Sequence, residues 1–268
     1  MSLTMGAAPF GPNEAGCFNF ERQGPQQTLY LEDFPKRIRA ELGGETVADS
    51  RRVKTLFETG RMMVFYFPRE DVDFDKLAPT ERKTQCPLKG EASYWSVCAG
   101  GREARDAAWS YETPIASADF LRGLIAFDYD AMGAWYQELD KVFAHPRDPY
   151  HRYDIHETDQ RVTVSLDDTC IAVTGAALVL FETGLPPRFY LPPGAVRTEF
   201  LTRSETASQC PYKGEARHWH LDVEGKRVED AAWSYPRPFG EADRIRDYLS
   251  FYPSKLRVEV DGRQLGRE

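Results

Sequence analysis

The sequence predicts a mainly β protein, two tandem small domains with short helices, each a small barrel or a tent of two sheets. Three observations predict it. A shift of 124 positions lays one stretch of chain on another without a gap, from Arg37/Arg161 to Phe127/Phe251. Short alternating apolar runs recur in both halves, bounded by turn residues. Pro68 and Pro192 close the same strand in each half, as a residue lacking the ladder N–H should.

The elements follow in order. Residues 1–29, rich in Gly, Pro, Gln and Asn, read as an N-terminal tail or a strap over one domain. Met1-Ser2-Leu3 ahead of Thr4-Met5 reads as an expression leader. The first ten residues lack the basic region and apolar core of a signal peptide. Domain one spans 30–143 and domain two 157–268. The connector 144–156, with two prolines, reads as ordered and extended. Arg37–Leu42 alternates into a Gly43-Gly44 turn, and Val162–Leu166 into Asp167-Asp168. Leu56–Glu58, Met63–Phe67 and Ser93–Cys98 continue as strands. Gly100-Gly101 and Glu224-Gly225 mark turns before the strands carrying Trp109 and Trp233. Short helices are predicted at Ala118–Phe127, Ala134–Phe143 and Glu241–Phe251.

Composition narrows the function classes. A chain of 268 residues that is 41% hydrophobic and 28% charged belongs to the ordinary globular class. Its net charge of −8 opposes a phosphate backbone, so nucleic acid is not an expected partner. No apolar run is long enough for a membrane span. The five cysteines, widely spaced and without a CxxC pair, suggest a reducing cytoplasm rather than a disulfide framework.

The repeat also points to a site. The gap-free alignment holds 34 identities in 91 pairs, of which 15 fall in the 27 pairs from Gln85 to Tyr111. That clustered set is Gln, Cys, Lys, Glu, Trp, Asp and Tyr rather than the interchangeable aliphatics of a core. The candidate ligand-binding residues are therefore Cys86, Lys89, Glu91, Trp95, Asp106, Trp109 and Tyr111, matched by Cys210, Lys213, Glu215, Trp219, Asp230, Trp233 and Tyr235. Trp109 and Tyr111, two apart on a strand, point to one face. With Trp95 on the neighbouring strand they make an aromatic cage for a flat, apolar or cationic group. Lys89 offers a charge for an anion, or a nucleophilic amine. The structural alternative also stands: Pro87 and Gly90 fix a turn with Lys89 and Glu91 paired at its edge, and the aromatics fill the core.

Other motifs carry less. Cys86 and Cys210 precede prolines, but no His is matched in both copies to pair with them. His218 and His220 flank Trp219 at strand spacing, with Tyr94 and Ser96 as first-copy counterparts. Asp71/Asp73 and Asp128/Asp130 are not repeated and read as solvated charge. No metal or cofactor is expected, and no Gly-rich phosphate loop is present.

Cys-Pro-Tyr-Lys-Gly-Glu-Ala (210–216), Ala-Ala-Trp-Ser-Tyr-Pro (231–236) and Val-Glu-Val-Asp-Gly (258–262) resemble the DUF427 family, a widespread bacterial group without an assigned biochemistry. The resemblance covers both copies. It implies a β-tent fold similar to Mss4-like proteins, methionine sulfoxide reductase B and the cereblon-type thalidomide-binding domain. In that last group a cage is written Trp, thirteen residues, Trp, one residue, Phe. Trp95, Trp109 and Tyr111 match this spacing, as do Trp219, Trp233 and Tyr235, with a further cage Trp replaced by Lys89 and Lys213. The CxxC zinc ligands of tent folds are absent. A nucleotidyltransferase label attached to the family finds no Gly-Ser and paired-Asp motif here. The expected function is thus binding of a small molecule in each copy. The alternatives are a hydrolase or transferase using Cys86, Lys89 and Glu91, or an interaction module.

Overall fold

A computed structural model describes residues 3–21 and 26–266. Met1 and Ser2 of the expected leader lie outside the described residues. The chain divides into two compact units, Met1–His151 and Arg152–Glu268. Each is mainly β, and the helical segments among the described residues are short 3-10 turns. No helix is long and apolar enough to cross a membrane.

Unit one contains β1 (Leu29–Asp33), β2 (Ile38–Leu42), β3 (Glu45–Ser50), β4 (Lys54–Glu58), β5 (Val64–Pro68), β6 (Leu77–Cys86), β7 (Gly90–Ala99), β8 (Arg102–Ser110), β9 (Leu124–Phe127), β10 (Ala134–Gln137) and β11 (Asp140–Val142). Seven strands form one antiparallel sheet in the order β1-β4-β5-β9-β8-β7-β6. A second sheet runs β11-β10-β2-β3. The main core, including Ile38, Phe57, Phe67, Val97 and Trp135, is buried on one side of the long sheet. A smaller cluster with Leu56, Tyr66, Ala92, Tyr111 and Leu121 lies on its other side. The long sheet therefore has two buried faces, and each side chain's strand parity decides which it joins.

Glycine shapes two close approaches. Gly43 and Gly44 both have positive φ, as the two-residue β2–β3 turn demands. A Cβ on Gly43 would sit 2.6 Å from the Ala99 carbonyl oxygen, and one on Gly100 would sit 2.2 Å from that of Gly43, so the turns between β2–β3 and β7–β8 meet backbone to backbone.

Unit two repeats the plan with β12 (Tyr153–Glu157), β13 (Val162–Leu166), β14 (Thr169–Thr174), β15 (Leu178–Glu182), β16 (Leu185–Tyr190), β17 (Leu201–Cys210), β18 (Gly214–Val223), β19 (Lys226–Pro238), β20 (Leu249–Phe251), β21 (Arg257–Val260) and β22 (Arg263–Gln264). The long sheet is divided here into β12-β15-β16 and β17-β18-β19-β20. The ladder that joins β5 to β9 in unit one survives only as a bridge between Leu191 and Leu249.

The structure differs from the sequence expectation in four places. Residues 118–127 and 241–251 are not helices. Each is a 3-10 turn, Ala116–Leu121 or Gly240–Ile245, followed by a strand. β9 is buried along its whole length because it fills the slot between β5 and β8, and a short apolar run gives no periodicity to reveal that. Ala134–Phe143 is a hairpin, β10–β11, turned at Glu138 with φ 53°. Lastly, β12 begins at Tyr153, inside the expected 144–156 connector, because its residues pair with β15.

Residues Thr4 and Phe10 of the N-terminal segment meet the β4–β5 turn of unit one. The Gly60 N–H donates to the Thr4 carbonyl at 2.8 Å, and Thr59 Oγ1 donates to the Phe10 carbonyl at 2.9 Å. Thr4 and Ala8 are buried beneath this contact.

Candidate functional site

The Cys-Pro-x-Lys-Gly segment is the turn between β6 and β7. The Lys89 N–H donates to the Cys86 carbonyl, and the Lys89 carbonyl accepts from the Ile115 N–H at 3.1 Å. Gly90 has φ 102°, and a Cβ there would press on the backbone of Thr113 and Ile115 at 3.3 Å. Gly214 repeats this geometry with φ 100°. Clamped on both sides, the turn sends the lysine side chain inward.

Its partner is a residue outside the clustered motif. The Lys89 ammonium donates to the Glu58 carboxylate, and both side chains are buried. In unit two, Lys213 Nζ donates to both Glu182 oxygens at 2.7 Å. Two charges removed from water persist only when paired and hydrogen-bonded. Glu58 and Glu182 end β4 and β15, within the Phe-Glu-Thr-Gly stretch that both copies keep. That shared carboxylate was the signal in the sequence, and it lies outside the expected site set.

In unit one this pair lies at a cavity of about 340 Å³, lined by Glu58, Arg61, Tyr66, Cys86, Lys89, Tyr94, Trp109 and Tyr111 together with apolar residues of β4 and β5. Trp109 and Tyr111 share the face, as their spacing requires. Tyr94 joins them because it is paired with Trp109 across β7–β8. The Trp109 indole N–H donates to the Tyr66 hydroxyl at 3.3 Å, and their rings meet edge to face. Tyr94 and Thr84 hydroxyls are 2.9 Å apart at the rim. Arg61 reaches Glu58 at 3.0 Å while its side chain stays 70% exposed. Burial pushes the Tyr66 and Tyr111 hydroxyls well above the usual tyrosine range, so both stay protonated.

Four of the seven expected first-copy residues therefore converge: Cys86, Lys89, Trp109 and Tyr111. Three do not. Trp95 pairs with Ala108, next to the Tyr94–Trp109 pair, and so points to the opposite face. There it packs on the main core, edge to face with Phe74. Trp219 likewise packs against the main core of unit two. The three-walled cage is thus not assembled in either copy. Glu91 is exposed and pairs with Lys83 at 3.0 Å, and Glu215 accepts from Gln209 at 3.0 Å. Asp106 has φ 53° at a bulge where four residue steps of β8 face two of β7, and its N–H donates to Ser96 Oγ at 3.2 Å. Asp230, with φ 46°, donates from its N–H to His220 Nδ1 at 3.1 Å in the equivalent bulge. Aspartate tolerates the left-handed region better than most residues, so the fold accounts for this identity.

Unit two covers the equivalent face. Trp233 and Tyr235 are buried. Tyr252, in place of Asp128, puts its ring 4.3 Å from that of Trp233. Arg188, in place of Val64, stands over Trp233 at 5.2 Å. Tyr153, in place of Leu29, lies 5.7 Å from Lys213 Nζ. His218, in place of Tyr94, stacks on Tyr252 and lies 2.9 Å from Ser208 Oγ. His218 and His220 thus make separate contacts within the fold. The five cysteines are free thiols.

No curated protein matches the chain. The family model described as a domain of unknown function, DUF427, matches residues 30–138 and again residues 154–262, the two units just described. The chain therefore belongs to the DUF427 family, as a member with two copies of the domain in tandem.

Proposed function

We propose that the first copy binds a small planar carboxylate in the cavity beside Trp109. The observation that carries this reading is the composition of that one cavity: an indole and three phenol rings, with two cations against a single carboxylate. A ring lies against Trp109 and Tyr94, gaining stacking and apolar burial. Its carboxylate meets the Arg61 guanidinium, whose exposed donors suit a planar anion better than an ammonium does. Lys89 is held by Glu58 and sets the charge at the cavity floor. The volume is near the lower end for small-molecule sites, which favours a single-ring or fused two-ring ligand.

The buried Trp233 face of unit two supports assigning this role to copy one. For the catalytic alternative, Cys86 and Lys89 share the cavity, but Glu91 stands outside it. A mechanism using those three residues together lacks its carboxylate.

The test is a fluorescence titration of the full chain with benzoate, indole-3-carboxylate and benzamide. Saturable quenching by a carboxylate is expected, weaker with benzamide. Trp109→Phe should remove the signal and Arg61→Gln should weaken binding, with Trp233→Phe unchanged. Binding that persists unchanged in Trp109→Phe and Arg61→Gln, or no saturation with either carboxylate, overturns the proposal.

A further inference from the structure

The opposite face of the long sheet carries a second contrast between the copies. In unit one, Trp95 is covered by a cation from its own chain. The Arg69 guanidinium lies 4.1 Å from the Phe74 ring centre and 6.0 Å from that of Trp95. Glu112 pairs with it at 3.1 Å, and the backbone N–H of Arg69 donates to the Gly123 carbonyl. The chain thereby satisfies an aromatic surface with a guanidinium and a nearby carboxylate.

Unit two has lost each part of that cover. Pro193 stands where Arg69 stands, Thr198 where Phe74 stands, and Pro236 where Glu112 stands. A cavity of about 240 Å³ remains beside Trp219, floored by Leu201 and Leu249 and edged by Ser234 and Asp247. Ser234 Oγ accepts the Trp219 indole N–H at 3.1 Å, which fixes the ring.

An aspartate lines this cavity. Asp247 occupies the position of Gly123, and both residues have positive φ, 60° and 75°. Glycine takes that conformation freely, and aspartate tolerates it better than most residues. Among the described residues the Asp247 carboxylate has no hydrogen-bond or ion-pair partner. The second copy thus joins an aromatic wall and an empty volume to a carboxylate-bearing lining residue, where the first copy has its own guanidinium over the aromatic rings.

We infer that the Trp219 cavity of the second copy binds a small organic cation, of the alkylguanidinium or alkylammonium class. Its alkyl stem lies on Leu201 and Leu249, and its charge lies between the Trp219 ring and Asp247. This site is on a different sheet face and a different copy from the Trp109 cavity, and takes a ligand of opposite charge.

The test uses the full chain labelled with 5-fluorotryptophan and fluorine NMR, with n-butylguanidinium as probe and n-butylurea as its neutral isostere. The Trp219 signal should shift saturably with the cation in about the millimolar range and stay still with the urea. Asp247→Asn should weaken binding about threefold. Pro193→Arg, which restores the cation of copy one, should abolish the shift. Asp247→Gly serves as a second variant if Pro193→Arg disturbs the remaining tryptophan signals. Equal shifts with the urea and the cation, no saturable shift, or unchanged binding in the Asp247 variants would each overturn the inference.

Discussion

The Lys89 ammonium and the Glu58 carboxylate meet in a buried ion pair across 31 residues of sequence, and Lys213 meets Glu182 across the same separation. A turn between two strands delivers the lysine, and in unit one the end of a strand four places from β7 in the sheet delivers the carboxylate. Both copies keep this pair although Trp233 of unit two is buried, so its first role is in the fold.

Removing one member should leave the other without its buried partner, Glu58 keeping only the exposed Arg61. Lys89→Met or Glu58→Gln should each destabilise the protein by about 3 kcal/mol. The double variant Lys89→Met/Glu58→Leu should lose clearly less than the sum. Urea denaturation of the full chain in a double-mutant cycle gives the comparison, and additive losses would refute a coupled pair.

The bulge residue separates fold from site in another way. Asp106 holds φ 53°, so Asp106→Val should cost about 1–2 kcal/mol while Asp106→Gly is nearly neutral. Neither should alter carboxylate binding beside Trp109. Thermal unfolding and the fluorescence titration together check both halves of this expectation.

His218 should make unit two sensitive to acid. Burial lowers its pKa from the ordinary value, with Asp230 opposing and Lys255 assisting. Its Nδ1 has no hydrogen-bond partner among the described residues. A histidine whose folded pKa is depressed binds its proton more readily when unfolded. Stability is therefore present above about pH 6.5 and falls as the pH drops below it. His218→Tyr, the residue of copy one, should flatten that part of the profile of melting temperature against pH.

At the alkaline end the sign reverses. Burial raises the hydroxyl pKa of Tyr66, Tyr111, Tyr190 and Tyr235. These four stay protonated in the fold and ionise on unfolding, so stability should fall as the pH rises above about 10. Ultraviolet titration should show their phenolate absorbance appearing only with loss of the fold. Ionisation of all thirteen tyrosines below the unfolding transition would contradict it.

The sequence by itself determined the repeat, the mainly β class and the shared face of Trp109 and Tyr111. These are local properties: identity at a fixed shift, alternation with period two, and turn residues between strands. Tertiary structure decided the rest. Whether Trp95 joins Trp109 depends on the β7–β8 register, and pairing Trp95 with Ala108 sends it to the other face. Glu58 becomes the partner of Lys89 only when the tertiary fold brings the end of β4 to the β6–β7 turn. The 118–127 and 134–143 segments turned from helix to strand because neighbours supply the ladder bonds and the burial, which an isolated stretch of sequence does not contain. The difference between the open Trp109 face and the covered Trp233 face came from Val64/Arg188 and Asp128/Tyr252, pairs outside the conserved-looking cluster, whose meaning lies in what each side chain covers.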